Sequence, residues 1–177
     1  MNISDVRTPK QLLSWMRGNL KYNLDLDTVN PPKEVIKTRV GSCIEQSYLE
    51  REILRGLGYK PILVYAKENS SSDDYDYSGS GHVFVVYEDG EHWVWFENSM
   101  EHASGIHRYD TLEDLFYGVA SEWWRYEDSS DLLEFRTFPY PLFNITNEQL
   151  AKLLHRRPIV ATLDISNNPL ESDIPET

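Results

Sequence analysis

One cysteine in 177 residues rules out an internal disulfide and any zinc site built from several thiolates. Long apolar stretches are missing too: no uninterrupted run exceeds about five residues, against the roughly 20 that a spanning helix needs. Met1-Asn2-Ile3-Ser4-Asp5 begins no secretory signal. Positive charge is scarce, since 17 Lys and Arg against 29 Asp and Glu leave a formal net charge of −12, which repels a phosphate backbone or an anionic leaflet. Nucleic acid and membrane partners are therefore not expected, and a cytoplasmic location is. No internal repeat is present.

What is there suffices for one core. With 40% apolar residues, the length suits a single domain, read as 1–165, followed by a polar, acidic tail over 166–177 that is expected to be disordered. Helix starts are written as capping boxes. Thr8-Pro9-Lys10-Gln11 precedes a stripe of Leu12, Leu13, Met16 and Leu20; Ser42-Cys43-Ile44-Glu45 precedes Leu49, Ile53, Leu54 and Leu57; Thr146-Asn147-Glu148-Gln149 precedes Leu150, Leu153 and Leu154. A further helix is expected from Leu112 to about Trp123, capped by Asp110 or Thr111. Asn30-Pro31-Pro32 interrupts helical periodicity and reads as a connector. Strands are expected over 61–67, 82–87, 92–98 and 132–138, with Asp89-Gly90 as the tight turn of a hairpin. The element order predicts an α+β domain.

Chemistry centres on Cys43. Behind a Ser42 cap it occupies the first turn of a helix, where unpaired amides and the positive end of the macrodipole favour a thiolate. A two-residue Asp89-Gly90 turn pairs residues whose numbers sum to 179. His82 then faces Glu97, close enough for the carboxylate to hold the imidazole. A three-residue turn would oppose His82 to Asn98 instead, a cysteine, histidine and asparagine set of the kind papain-like enzymes use. Nucleophile, base and orienting acceptor thus occur in order.

The segments Gly41-Ser42-Cys43, Leu54-Arg55-Gly56-Leu57-Gly58-Tyr59, Gly81 to Gly90 and Trp93-Val94-Trp95-Phe96-Glu97 together resemble the core of the transglutaminase-like superfamily. The likeness covers residues 35–110, and Trp95 to Ser99 with Gly105-Ile106-His107 is similar to small bacterial members of unassigned activity. The resemblance implies a papain-like core with the nucleophile helix packed on an antiparallel sheet. It also implies Cys43, His82 and Glu97 as a catalytic triad for acyl transfer or for hydrolysis of an amide or peptide, through a thioester and without a cofactor. Glu97 stands where the family usually has aspartate, and Ile44 where it often has a large aromatic. Two alternatives follow from the same residues: thioester exchange like that of arylamine N-acetyltransferases, and a catalytically silent module that binds a protein partner.

Other features carry less. The Ser- and Asp-rich loop ending at Gly81 brings Tyr75 and Tyr77 toward any cleft as substrate-loop candidates. His92, His102 and His107 match no common zinc spacing, so no metal is expected. Trp123 and Trp124 with Tyr117 and Tyr126 read as packing aromatics.

Overall fold

Alternation along the run from His82 to Tyr87 sorts its side chains onto two faces, and both faces are buried. In the computed structural model, which describes residues 2–23, 28–69, 81–127, 132–138, 142–146, 149–150, 153 and 157–164, this run is the middle of an α+β fold. The elements are α1 (Pro9–Asn19), β1 (Lys21–Tyr22), α2 (Pro32–Thr38), β2 (Val40–Gly41), α3 (Cys43–Gly56), β3 (Ile62–Asn69), β4 (Gly81–Asp89), β5 (His92–Glu97), β6 (Gly105–Tyr109), α4 (Leu112–Glu127), β7 (Leu132–Thr137) and β8 (Ile159–Asp164). Six strands form one antiparallel sheet in the order β6-β5-β4-β3-β7-β8.

Helices cover the sheet on both sides. Val83, Val85, Tyr87, Val94 and Phe96 pack with Leu12, Met16, Val35, Tyr48 and Leu49 of α1, α2 and α3. Phe84, Val86, Trp95 and Phe135 pack with Leu115, Phe116, Val119 and Ala120 of α4. Burial on both faces explains why β4 is a nearly continuous apolar run. At about 25 cal/mol per Å² of apolar surface, these two layers are the main source of stability. Helix α3 is enclosed around most of its circumference: Cys43 to Glu50 are all buried.

The caps form as written. Thr8 accepts from the Gln11 amide, and Ser42 and Glu45 close a reciprocal box. Thr111 Oγ1 accepts from the Asp114 amide at 3.0 Å. Thr146 and Gln149 also bond reciprocally, at 3.0 and 3.1 Å. The Gln11 carboxamide, though, reaches past the cap to the Arg7 amide.

Several expectations need correction. Pro31-Pro32 is more than a connector: Pro32 opens α2, where a missing N–H costs nothing. That helix ends on Arg39, a left-handed residue with φ 63°, which turns the chain into β2. Strands β6 and β8 were not anticipated, and α4 runs to Glu127.

The hairpin register also differs. The pairs Asp89↔His92, Tyr87↔Val94 and Val85↔Phe96 place the turn at Gly90-Glu91, one residue further along than Asp89-Gly90, so that each residue's partner shifts by two. Gly90 takes the first turn position with φ 66°, a conformation that primed turns require and that glycine adopts without strain. The tail over 166–177 lies outside the described residues.

Candidate active site

The two-residue shift preserves the face on which every side chain lies, because strands alternate with a period of two. His82 and Glu97 therefore become diagonal neighbours on one face of β4 and β5. His82 Nε2 lies 2.6 Å from Glu97 Oε2, with both side chains buried.

Glu97 is held on every side. Oε2 also accepts from Trp95 Nε1 at 3.3 Å, and Oε1 accepts from the Met100 amide at 2.8 Å and from Ser99 Oγ at 3.2 Å. Burial on its own would raise the carboxyl pKa. The positive charge on His82, its hydrogen bond, and those from Met100 and Ser99 outweigh burial and hold Glu97 below its ordinary value.

Cys43 reaches this pair through a local opening of the sheet. The β4–β5 ladder ends at Val85↔Phe96, while β4 continues back to Gly81 paired with β3 alone. There α3 is clipped on: Ser47 Oγ, one turn beyond Cys43, donates to the Val83 carbonyl at 3.0 Å. His82 shares its face with Phe84, against which its ring stacks, and that face belongs to the α4 layer. At the end of the strand the ring nonetheless comes near enough to the Cys43 sulfur for the two to act on each other electrostatically. With Nε2 committed to Glu97, Nδ1 is the ring atom left for the thiol. Burial would depress the imidazole pKa, but the Glu97 charge, the neighbouring Cys43 and the hydrogen bond to Glu97 overcome it and raise His82 from 6.5 to about 10. The imidazolium is thus the favoured form at neutral pH.

Gly81 precedes the histidine because a Cβ there would collide with the Tyr65 ring. The Tyr65 phenol is pushed up to about 12, first by burial and then by the neighbouring Cys43.

Three further residues belong to the site, and sequence reasoning missed them. Tyr22 sits on β1, whose parallel pairing sets Tyr22 against Gly41, two residues before the cysteine. Its side chain is half-exposed, and partial burial together with the nearby Cys43 sulfur keeps the phenol protonated. Gln46, on the same side of α3 as Cys43, donates to the Gly41 carbonyl at 3.0 Å and accepts from Asn98 Nδ2 at 2.6 Å. Asn98 is therefore engaged with Gln46, while Glu97 is the residue on the His82 ring.

Glu50, two turns along α3 from Cys43, is 2% exposed. Burial first, then the charge of Glu97, raises its carboxyl well above the ordinary value, so it is neutral when Glu97 is charged. The only signal for it in the sequence is an acid at helical spacing from Cys43.

The remaining candidates fall elsewhere. Tyr75 and Tyr77 lie outside the described residues, as do the side chains of Trp123, Trp124 and Tyr126. His92 pairs with Asp110 on the surface, and His107 bonds the Ala103 carbonyl. Among the described residues, no three His, Cys, Asp or Glu side chains gather as metal ligands would. No helix among them is long and apolar enough to cross a membrane.

A cleft of about 540 Å³ is lined by Tyr22, Gln46 and Asn98 together with Arg17, Glu101 and Ser104. Compared with known proteins, the chain matches no family model and no curated protein.

Proposed function

We propose that this protein is a cysteine-dependent acyl-transfer or amide-hydrolysing enzyme of the transglutaminase-like, papain-like kind, with Cys43 as nucleophile, His82 as base and Glu97 as the acceptor that orients it. The observation that carries this reading is the buried His82 ring, bonded to Glu97 at 2.6 Å and electrostatically coupled to a sulfur at a helix start. A structural histidine needs one satisfied nitrogen, whereas a base for a thiol needs this double engagement.

The chemistry follows from the charges. His82 holds the thiol proton as an imidazolium balanced by Glu97. The sulfur attacks the amide carbonyl, and the carbonyl oxygen gains the negative charge. The Cys43 backbone amide, at the first helical position, has no acceptor within its helix and can donate to that oxygen. The Tyr22 hydroxyl, protonated and near the sulfur, can serve as a second donor. Collapse of the adduct breaks the C–N bond, His82 gives its proton to the departing amine, and a thioester remains. Water or another amine, deprotonated by His82, then releases the acyl group and restores the thiol.

A second reading keeps the fold without the reaction. Cys43 is 8% exposed and Tyr22 lies near it, as suits an inert thiol in a protein-binding module. Alkylation by iodoacetamide separates the two. An activated Cys43 reacts readily at pH 6.5, where a free thiol of pKa about 8.5 is about 1% ionised. His82→Ala then slows the reaction by about tenfold or more. Sluggish labelling that ignores His82 leaves only the binding module.

A further inference from the structure

The cleft lined by Tyr22, Gln46 and Asn98 carries one fixed cation among its lining residues. Arg17 of α1 donates from Nε to Ser104 Oγ at 2.9 Å and from Nη2 to the Ser104 carbonyl at 2.6 Å. These bonds join α1 to the segment after β5 and hold the guanidinium in place. They use two of its five N–H groups and leave the end formed by Nη1 and the second Nη2 hydrogen, a planar fork on the cleft wall.

Such a fork matches a carboxylate through two parallel hydrogen bonds. Glu101 on the same wall repels a second negative charge, which disfavours phosphates and polyanions. In the same cleft, Asn98 uses one Nδ2 hydrogen on Gln46 and keeps its other hydrogen and its carbonyl oxygen, the complement of a peptide group. In a chain of net charge −12, an anionic substrate gains from a local cation held in advance.

Taking Cys43 as the nucleophile, we infer that this cleft is the substrate subsite and that it selects amides bearing a single free carboxylate, as a short peptide with an unblocked C-terminus does. The carboxylate docks on Arg17, and the peptide group passes Asn98 on its way to the sulfur.

The test is protection of Cys43 in the full-length protein from iodoacetamide, followed by intact mass, with N-acetylglycylglycine or its neutral C-terminal amide present at millimolar concentration. The free acid should slow labelling by about threefold or more relative to the neutral amide. Arg17→Gln, normalised to its own peptide-free rate, should erase the difference. Equal protection by the two peptides, no protection by either, or a difference that survives Arg17→Gln overturns the subsite. The catalytic reading fails separately, through peptide-free labelling that is slow and independent of His82.

Discussion

Glu97 carries the charge that decides the protonation of the site. Glu97→Gln keeps the length, and its one carbonyl oxygen can still accept from Ser99 and Met100, but it gives up the bond from Trp95 and removes the negative charge that holds His82 as an imidazolium. Alkylation of Cys43 at pH 6.5 should then fall by about tenfold or more, in the direction seen when a carboxylate orienting a catalytic histidine is neutralised. Glu97→Asp is a finer probe. A side chain one methylene shorter cannot span from the Met100 amide to His82, so its rate should fall between the two. A rate for Glu97→Gln equal to wild type would remove the carboxylate from the reaction. Glu50 poses the opposite case: a buried acid kept neutral by burial and by the Glu97 charge lowers stability at any pH where the unfolded chain would ionise it. Glu50→Gln should therefore raise the melting temperature at pH 7, by about 2–4 °C for each kcal/mol recovered, and leave it unchanged near pH 4.

At the scale of elements, the site depends on how α3 meets the open end of the β4–β5 ladder. Ser47 is the clip, and its removal leaves the buried Val83 carbonyl without the hydroxyl that serves it. Ser47→Ala should cost about 1–3 kcal/mol in denaturant unfolding and slow His82-dependent alkylation, since the helix is released one residue from the base. A stability loss with unaltered alkylation would mean that the sheet and the α1–α2 packing hold Cys43 in place without the clip. Features written locally were legible beforehand: the Ser42–Glu45 box, the cap at Thr111, the hairpin, and the sharing of one face by His82 and Glu97. The turn position was misjudged because Asp-Gly suits a primed turn in either frame. The frame that forms gives Gly90, not Asp89, the left-handed position, and an even slip leaves faces intact. Tyr22 was not legible, because β1 and β2 are two-residue strands whose pairing arises from tertiary placement of α1 and α2, and Asn98 was read as a possible partner of His82 where the fold gives it to Gln46. Helix α2 was hidden because the prolines that exclude a helix interior are permitted at its first turn.

Across the whole molecule, the same groups set the pH at which the fold is most stable. His82 rises from about 6.5 in the unfolded chain to about 10 in the folded protein. Between these values the folded state binds more protons than the unfolded one, so stability falls as pH rises. The Tyr65 phenol, held up to about 12, extends that decline above pH 10. Glu97 works from the acid side: its folded pKa is depressed, and its contribution, present above about pH 4.3, is lost as pH falls through the folded value. Glu50 opposes it, because an acid raised by burial favours folding more as pH drops. Net charge adds to the asymmetry, since −12 at neutrality relaxes toward zero near the sequence pI of about 4.8 and self-repulsion relaxes with it. The melting temperature should therefore peak on the acid side of neutrality, in the interval of about pH 5–6.5, and decline steadily to pH 10. In His82→Gln, which cannot titrate, the decline between pH 7 and 10 should become shallower while the acid limb remains. An identical slope in that variant would show that the imidazole gains no charge on folding, and with that the ion pair at the centre of the proposed reaction would be gone.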